Sequence, residues 1–183
     1  MKILTMKFGG TSVADIDRIR AVRDIISDEI KDGWCVVAVV SAMSKETNKL
    51  IDLAKQVGVE NLVDPEYDSL ISTGEDVSSS LLAIALNSIE ISSRSWRGWQ
   101  LPIRTDSFHS NAKIEEIKTN QIINSFKEGV KVAVVSGFQG IEQAGRITTL
   151  GRGGSDTSAV AIAATIDAER CDIYTDVSGI YTT

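Results

Sequence analysis

Two runs of apolar residues, at positions 34–40 and 131–136, constrain the fold of this chain more than any other feature. Both are rich in valine, and neither alternates polar with apolar positions. Such runs are typical of strands buried on both faces, which occur mostly in parallel sheets covered by helices. Shorter strands are predicted at 3–8, 146–150 and 172–174. The chain is therefore expected to contain a mostly parallel sheet.

Helical patterns separate these strands. Over residues 15–31 the apolar positions recur at steps of three and four, which places them on one face of a helix. They are Ile16, Ile19, Val22, Ile26 and Ile30. Further helices are predicted through Leu50, Leu53 and Val57, and over 65–87, 114–127 and 155–168. Strands that alternate with helices predict an α/β domain whose sheet is covered on both faces. No internal repeat or domain boundary is visible.

The composition of the chain limits the kinds of molecule that it is expected to bind. The chain has 183 residues, of which 43% are hydrophobic and 24% charged, as expected for a globular protein. Its net charge of −6 disfavours contact with the phosphate backbone of a nucleic acid, so no nucleic-acid partner is expected. No signal peptide precedes the first glycine turn, and no apolar run approaches the roughly 18 residues of a membrane span. We therefore expect a cytoplasmic protein without a membrane partner.

Some conspicuous side chains are assigned no chemistry. His109 is the one histidine, which excludes a histidine-based metal cluster, and we interpret it as a structural or surface residue without an obvious partner. Cys35 and Cys171 are far apart and are expected to be buried, reduced thiols. Trp96 and Trp99 are expected to pack in the core or at an interface.

The loop after the first strand contains Lys7, Gly9 and Gly10, followed by Thr11 and Ser12. In open α/β sheets, ligands bind beyond the carboxyl ends of the strands. Paired glycines let backbone N–H groups approach a phosphate, and a lysine adds a point charge. A tight turn beside a surface lysine explains these residues equally well. A P-loop sequence of the Walker A type is absent.

Two further loops carry polar groups. Ser41 follows the second strand, and its hydroxyl suits either an anionic ligand or local capping of the loop. Glu75 lies in a predicted helix, where its carboxylate suits a substrate ammonium group. Taken alone, however, Glu75 fits a solvated helix charge better.

The stretch 151–158 is the densest candidate. It contains three glycines and a run of helix-start residues from Ser155 onward, with Arg152 between the glycines. An anion at the helix N-terminus, with Arg152 as a bidentate partner, is favoured over a plain connector. Near the end of the chain, Asp176 suits a ribose hydroxyl and Tyr181 a base, although a turn explains them nearly as well.

Taken together, five motifs resemble the aspartate kinases of the amino acid kinase superfamily. They are Lys-Phe-Gly-Gly-Thr-Ser at 7–12, Val-Ser-Ala-Met at 40–43, Ser-Thr-Gly-Glu at 72–75, Thr-Thr-Leu-Gly-Arg-Gly-Gly-Ser-Asp at 148–156, and Tyr-Thr-Asp-Val-Ser-Gly-Ile-Tyr at 174–181. The first and fourth are highly specific, and the resemblance covers essentially the whole chain.

The resemblance implies a fold and an activity. The fold is a three-layer α/β/α sandwich with a mostly parallel central sheet, here the catalytic domain over residues 1–183. The activity is transfer of the ATP γ-phosphoryl group to the side-chain carboxylate of L-aspartate, with Mg²⁺, to give 4-phospho-L-aspartate. This reaction opens the route to lysine, threonine and methionine.

The resemblance also implies roles for individual residues. Those expected to bind the nucleotide are Lys7, Gly9, Gly10, Thr11, Ser12, Gly154, Thr175, Asp176 and Tyr181. Those expected to hold aspartate are Ser41, Glu75, Arg152 and Ser155. Lys7 and Asp156 are expected to be catalytic, and no residue is assigned as a metal ligand.

The family continues past position 183 with further catalytic elements and regulatory ACT domains. We therefore expect a C-terminally truncated catalytic domain, an incomplete ATP site, weak or absent activity, and a homo-oligomer or a partner chain. Two alternatives stay open. One is another amino acid kinase, such as an acetylglutamate kinase, and the other is an inactive fragment that binds substrate or a partner subunit.

Overall fold

The computed structural model describes residues 1–58 and 63–175, and within them nine strands and six helices occur. The strands are β1 (Ile3–Phe8), β2 (Cys35–Val40), β3 (Ser93–Trp96), β4 (Ile103–Thr105), β5 (Ile114–Ile117), β6 (Val132–Ser136), β7 (Gln139–Ile141), β8 (Ile147–Thr149) and β9 (Arg170–Tyr174). The helices are α1 (Ile16–Lys31), α2 (Glu46–Gln56), α3 (Pro65–Ile71), α4 (Thr73–Asn87), α5 (Asn120–Lys127) and α6 (Gly154–Thr165).

Five strands form the central sheet in the order β3-β6-β2-β1-β9, and every pairing is parallel. In β2, the side chains of Val36, Ala38 and Val40 join one hydrophobic cluster, while Val37 and Val39 join another. The first cluster is closed by α1 and α4, and the second by α5 and α6. The prediction of a parallel sheet covered on both faces is confirmed, and the architecture is a three-layer α/β/α sandwich.

A second sheet of four strands was not predicted. Its order is β5-β4-β7-β8, with antiparallel pairs at both ends and a parallel pair in the middle. The predicted helix over 114–127 is wrong in its first part, since Ile114–Ile117 is β5 and the helix begins at Asn120. A register shift between Arg104 and Thr105 lets both isoleucines of β5 face the same cluster. Their three-residue spacing therefore imitates a helix.

The predicted helix over 65–87 is two helices, α3 and α4, which meet at Ser72. Pro65 occupies the first turn of α3, and Asp64 caps it by accepting the Glu66 N–H at 2.6 Å. Helix α1 is capped in the same way, because Asp15 accepts the Arg18 N–H at 2.8 Å. Helix α6 ends at Thr165, three residues before the predicted end.

The expectations about Cys171 and His109 need correction. Cys35 is half-buried and Cys171 is exposed on the edge strand β9, so the predicted burial of Cys171 is wrong, although both thiols are free. Trp96 is buried in the core, as expected, whereas Trp99 is 51% exposed, and its expected place at an interface stays a prediction. His109 does have a partner, because its Nδ1 lies 2.9 Å from Oδ2 of Asp68. Within 1–58 and 63–175, no helix combines the length and apolar character needed to cross a membrane.

Candidate functional site

A cleft of about 530 Å³ opens beyond the carboxyl ends of β1 and β2. Eleven residues that the sequence singled out contribute to its lining: Lys7, Gly9, Gly10, Thr11, Ser41, Glu75, Arg152, Gly154, Ser155, Asp156 and Thr175. Ser12 lies apart from them and lines a smaller cavity of about 200 Å³. Asp176 and Tyr181 fall outside the described residues. Loops that are far apart in sequence thus converge on one surface.

Lys7 lies in β1, and its side chain is mostly buried at the cleft. Its Nζ lies 2.6 Å from Oδ1 of Asp156 in the first turn of α6, and the Asp156 side chain is about half exposed. A Cβ added at Gly9 would lie 3.3 Å from Nζ of Lys7, and one added at Gly10 would lie 3.0 Å from the carbonyl oxygen of Ala42. Because Gly9 and Gly10 have no side chain, there is room beside them for the ammonium group of Lys7 and for the backbone of Ala42.

Glu75 is the most perturbed ionisable group of the cleft. It is only 4% exposed, and burial raises the pKa of its carboxyl from 4.5 to about 7. Its Oε1 accepts the backbone N–H of Ala42 at 3.0 Å, whereas Oε2 has no hydrogen-bond partner among residues 1–58 and 63–175. The interpretation of Glu75 as a solvated helix charge is wrong. A buried carboxylate with one unsatisfied oxygen can accept a cationic donor from a ligand.

The loop after β2 fits closely against the start of α4. Ser41 is half-buried in the cleft, and its N–H donates to the carbonyl oxygen of Phe8 at 3.1 Å. A Cβ added at Gly74 would lie only 2.8 Å from Cβ of Ala42. Glycine at 74 therefore allows the contact that brings the Ala42 N–H to Glu75.

The glycine-rich loop between β8 and α6 supplies the opposite wall. Gly151 and Gly153 have φ of +73° and +77°, conformations that favour glycine. Between them, Arg152 is exposed at the cleft and makes no ion pair within residues 1–58 and 63–175. Ser155 is 9% exposed in the first turn of α6. A free guanidinium and a helix start form a suitable site for an anionic group.

Sequence reasoning gave no role to several residues that line the cleft. They are Ala42, Met43, Lys45, Thr47, Asn48, Phe138 and Tyr174. Lys45 directly precedes α2 and has φ of +67°, and Phe138 has φ of +68°. Left-handed backbone is uncommon for such side chains and often occurs at ligand sites. Lys45 lies in the loop between the buried strand β2 and helix α2, and a lysine in that loop was the signal that could have found it.

Known proteins resemble this chain over nearly its full length. Residues 2–183 match the amino acid kinase family. The chain belongs to that family. Among curated relatives, the aspartokinases of Bacillus sp. (strain MGA3) and Geobacillus stearothermophilus are 51% and 50% identical over 183 residues. Each match covers 100% of this chain and 44% of the relative. This amino acid kinase chain therefore spans less than half the length of these relatives.

Solved structures agree with the assignment. The aspartate kinase from Synechocystis has a TM-score of 0.81 at 45% identity, with 97% of this chain and 29% of that chain covered. The E. coli aspartokinase III in complex with aspartate and ADP has a TM-score of 0.84 at 28% identity, with 99% and 51% covered. The isopentenyl phosphate kinase structure, at 17% identity and a TM-score of 0.66, shares the fold alone. The predicted resemblance to aspartate kinases is confirmed.

Proposed function

We propose that this chain is part of an aspartate kinase catalytic domain that binds L-aspartate and MgATP in the cleft. It transfers the γ-phosphoryl group to the side-chain carboxylate and gives 4-phospho-L-aspartate. The observation that carries the proposal is the buried Glu75 carboxylate in the same cleft as the exposed cation Arg152, where, among the described residues, one oxygen of Glu75 has no hydrogen-bond partner and Arg152 has no ion pair. A cytoplasmic location and a role in lysine, threonine and methionine synthesis go with this proposal.

The two charges suit an amino acid that carries two carboxylates. The substrate ammonium group donates to Oε2 of Glu75, a buried oxygen that accepts no hydrogen bond from the part of the chain that the structure describes. Arg152 holds a carboxylate through two parallel N–H donors, and the hydroxyls of Ser41 and Ser155 complete its contacts. The remaining carboxylate is left to face the nucleotide side of the cleft.

The nucleotide side is built from Lys7, the Gly9–Gly10–Thr11 turn, Gly154 and Thr175. Lys7 and backbone N–H groups neutralise phosphate oxygens there. The described residues hold no group of three or more histidine, cysteine, aspartate or glutamate side chains that could bind a metal. The half-exposed carboxylate of Asp156 nevertheless fits a Mg²⁺ that arrives with ATP, since protein-bound Mg²⁺ usually takes one or two carboxylates plus phosphates and water.

Phosphoryl transfer needs positioning and charge neutralisation more than covalent help from the protein. The attacking group is a carboxylate, which is already ionised at neutral pH because its ordinary pKa is about 4. No general base is therefore required. Lys7 offsets the repulsion between the carboxylate and the γ-phosphate, and bound Mg²⁺ supplies further neutralisation of the phosphates. Glu75 and Arg152 fix the substrate so that one carboxylate meets the phosphorus atom.

Titration calorimetry with L-aspartate and with MgATP, beside a coupled assay of ADP release, tests the proposal. We expect L-aspartate to bind with one site per chain and L-glutamate to bind at least about tenfold more weakly, because a misplaced carboxylate loses its contacts. Arg152→Lys should weaken aspartate binding, while the exposed control Arg20→Lys should not. Tighter binding of glutamate, or no binding of aspartate, would contradict the proposal. ADP release that depends on aspartate would also show that residues 1–183 suffice for turnover.

A further inference from the structure

Asp68 lies at the centre of a cluster of donors outside the cleft. Its carboxylate is fully buried in α3. It accepts hydrogen bonds from Nδ1 of His109 at 2.9 Å, the Thr149 N–H at 3.0 Å and the Thr149 hydroxyl at 2.7 Å. Both oxygens also accept the Ser110 N–H, at 3.1 and 3.0 Å, and the Ser110 hydroxyl lies 3.2 Å from Oδ1. One buried carboxylate thus joins α3, the loop around 109–110 and β8.

Two of the three joined segments, α3 and β8, lead directly to a side chain of the cleft. Helix α3 continues through Ser72 into α4, where Glu75 lies seven positions after Asp68. On the other side, Thr149 ends β8 three positions before Arg152. We call the hydrogen-bonded group of Asp68, His109, Ser110 and Thr149 the Asp68 clasp. It connects the segment that carries Glu75 to the segment that carries Arg152.

The loop around 109–110 supports the same glycine-rich turn from behind. A Cβ added at Gly151 would lie 2.8 Å from Oδ1 of Asn111 and 3.2 Å from the carbonyl oxygen of Ser110. Ser110 itself has φ of +64°, a left-handed conformation that is uncommon outside glycine. Its hydrogen bonds to Asp68 offset the cost of that conformation. The position of Gly151, and with it that of Arg152, depends on this loop.

Asp68 is not among the residues that line the cleft, so its influence on a ligand is indirect. A buried carboxylate that satisfies several donors is costly to alter, because each donor left behind loses its partner in a place that water does not reach. Replacement by asparagine keeps the size but presents an NH₂ group to donors. At least one side of the clasp must then move.

We propose that Asp68 is a positioning residue, which fixes the separation of Glu75 and Arg152 and so sets the affinity of the cleft for its amino acid substrate. His109 is the auxiliary partner that holds the outer side of the clasp. The inference rests on the proposed function, because it assumes that Glu75 and Arg152 bind opposite ends of one ligand.

Calorimetric titration with L-aspartate tests the inference on the whole chain and its Asp68→Asn variant. We expect the dissociation constant to rise about tenfold or more, since small displacements of binding groups are costly, while the stoichiometry stays near one site per chain. A merely structural role would instead lower the stoichiometry and leave the dissociation constant of the folded fraction unchanged. The matched control is Glu66→Gln, which breaks the exposed ion pair of the same helix with Arg146 and should change the constant less than about twofold.

A second pair of variants keeps the test decisive if Asp68→Asn does not fold. His109→Leu removes one donor and should raise the dissociation constant about threefold, whereas His109→Asn keeps a nitrogen donor and should stay within about twofold of the parent. The inference is wrong if folded Asp68→Asn, or His109→Leu in its place, binds L-aspartate as tightly as the parent chain. If the parent chain binds no aspartate, the proposed function fails and the inference with it.

Discussion

The backbone N–H of Ala42 donates a 3.0 Å hydrogen bond to Oε1 of Glu75, and this contact joins the loop after β2 to the first turn of α4. The second oxygen of the same carboxylate is buried, and no residue within 1–58 or 63–175 donates a hydrogen bond to it. A carboxylate in this condition binds a proton more readily than one in water, and it accepts a cationic donor when a ligand brings one. Both consequences can be measured.

Glu75 should make the stability of the ligand-free chain fall with rising pH. Burial raises the pKa of its carboxyl to about 7 in the folded chain, while in the unfolded chain it ionises near the ordinary value of 4.5. The folded state thus binds the extra proton, and the free energy of unfolding decreases between about pH 5 and pH 8. Glu75→Gln should remove about 3 kcal/mol of this decrease. Urea unfolding of both chains across that range gives the difference, with the exposed Glu115→Gln as control. Parallel curves for parent and Glu75→Gln would contradict the expectation.

Binding of L-aspartate should show the opposite trend with pH. The ammonium group of the ligand pairs with an ionised Glu75, so binding must release the proton that the buried carboxyl holds below about pH 7. We expect the affinity to rise by up to about tenfold per pH unit from pH 5 to 7 and then to level off. Calorimetry in buffers of different ionisation enthalpy reports the protons released. A proton release near zero at pH 6 would show that the ligand does not engage Glu75.

Gly74→Ala should damage both the fold and the site. The new Cβ would lie 2.8 Å from Cβ of Ala42, so one of the two segments must move. We expect a net loss of about 1–2 kcal/mol in the free energy of unfolding, because overpacking outweighs the better helix propensity of alanine. The affinity for L-aspartate should fall as well, since the Ala42–Glu75 hydrogen bond is displaced. Ser80→Ala on the same helix makes a comparable gain in propensity, and it should leave binding unchanged. An unaltered affinity of the Gly74→Ala variant for L-aspartate would contradict the prediction.

Lys7→Met should affect nucleotide binding far more than stability. Lys7 forms an ion pair with Asp156, whose side chain is about half exposed. Ion pairs that are open to solvent contribute only about 0–1 kcal/mol to the free energy of unfolding. A lost charge-assisted contact to phosphate should weaken MgATP or MgADP binding about tenfold or more. Thermal unfolding and nucleotide titration give the two quantities. Lys55→Met, which removes a lysine paired with Asp52 on α2, is the control that should leave nucleotide affinity unaltered. A large loss of stability without a loss of nucleotide affinity would point to a structural lysine.

The parts of the fold that the sequence predicted are those that local patterns specify. The run at 34–40 has no polar position, so it can only be a strand enclosed on both faces, and β2 is that strand. The break at Ser72 and the strand Ile114–Ile117 were missed for a common reason. Their local patterns fit a helix, but Ile114–Ile117 pairs with β4, and the carbonyl oxygen of Ser72 accepts a hydrogen bond from Nε2 of Gln139 in β7.

The residues of the candidate site also fall into two groups: those that local sequence patterns reveal and those that only the tertiary structure reveals. The glycines at 9, 10 and 151–154 and the cation Arg152 are visible as motifs, because their residue types and order are unusual in themselves. From the sequence alone, Glu75 was interpreted as a solvated charge on a helix. In the structure it is buried and accepts the backbone N–H of Ala42. The partner of His109 lies 41 positions away at Asp68, a separation that no local pattern can reveal.

The sequence by itself therefore determined the α/β class, the parallel strands and the loops that carry glycine and charge, because these depend on neighbouring residues along the chain. Only the tertiary structure decided the second sheet, the raised pKa of Glu75 and the Asp68 clasp. Burial and hydrogen bonding between distant segments create these features. Their energies depend on distance in space, which the order of residues does not state.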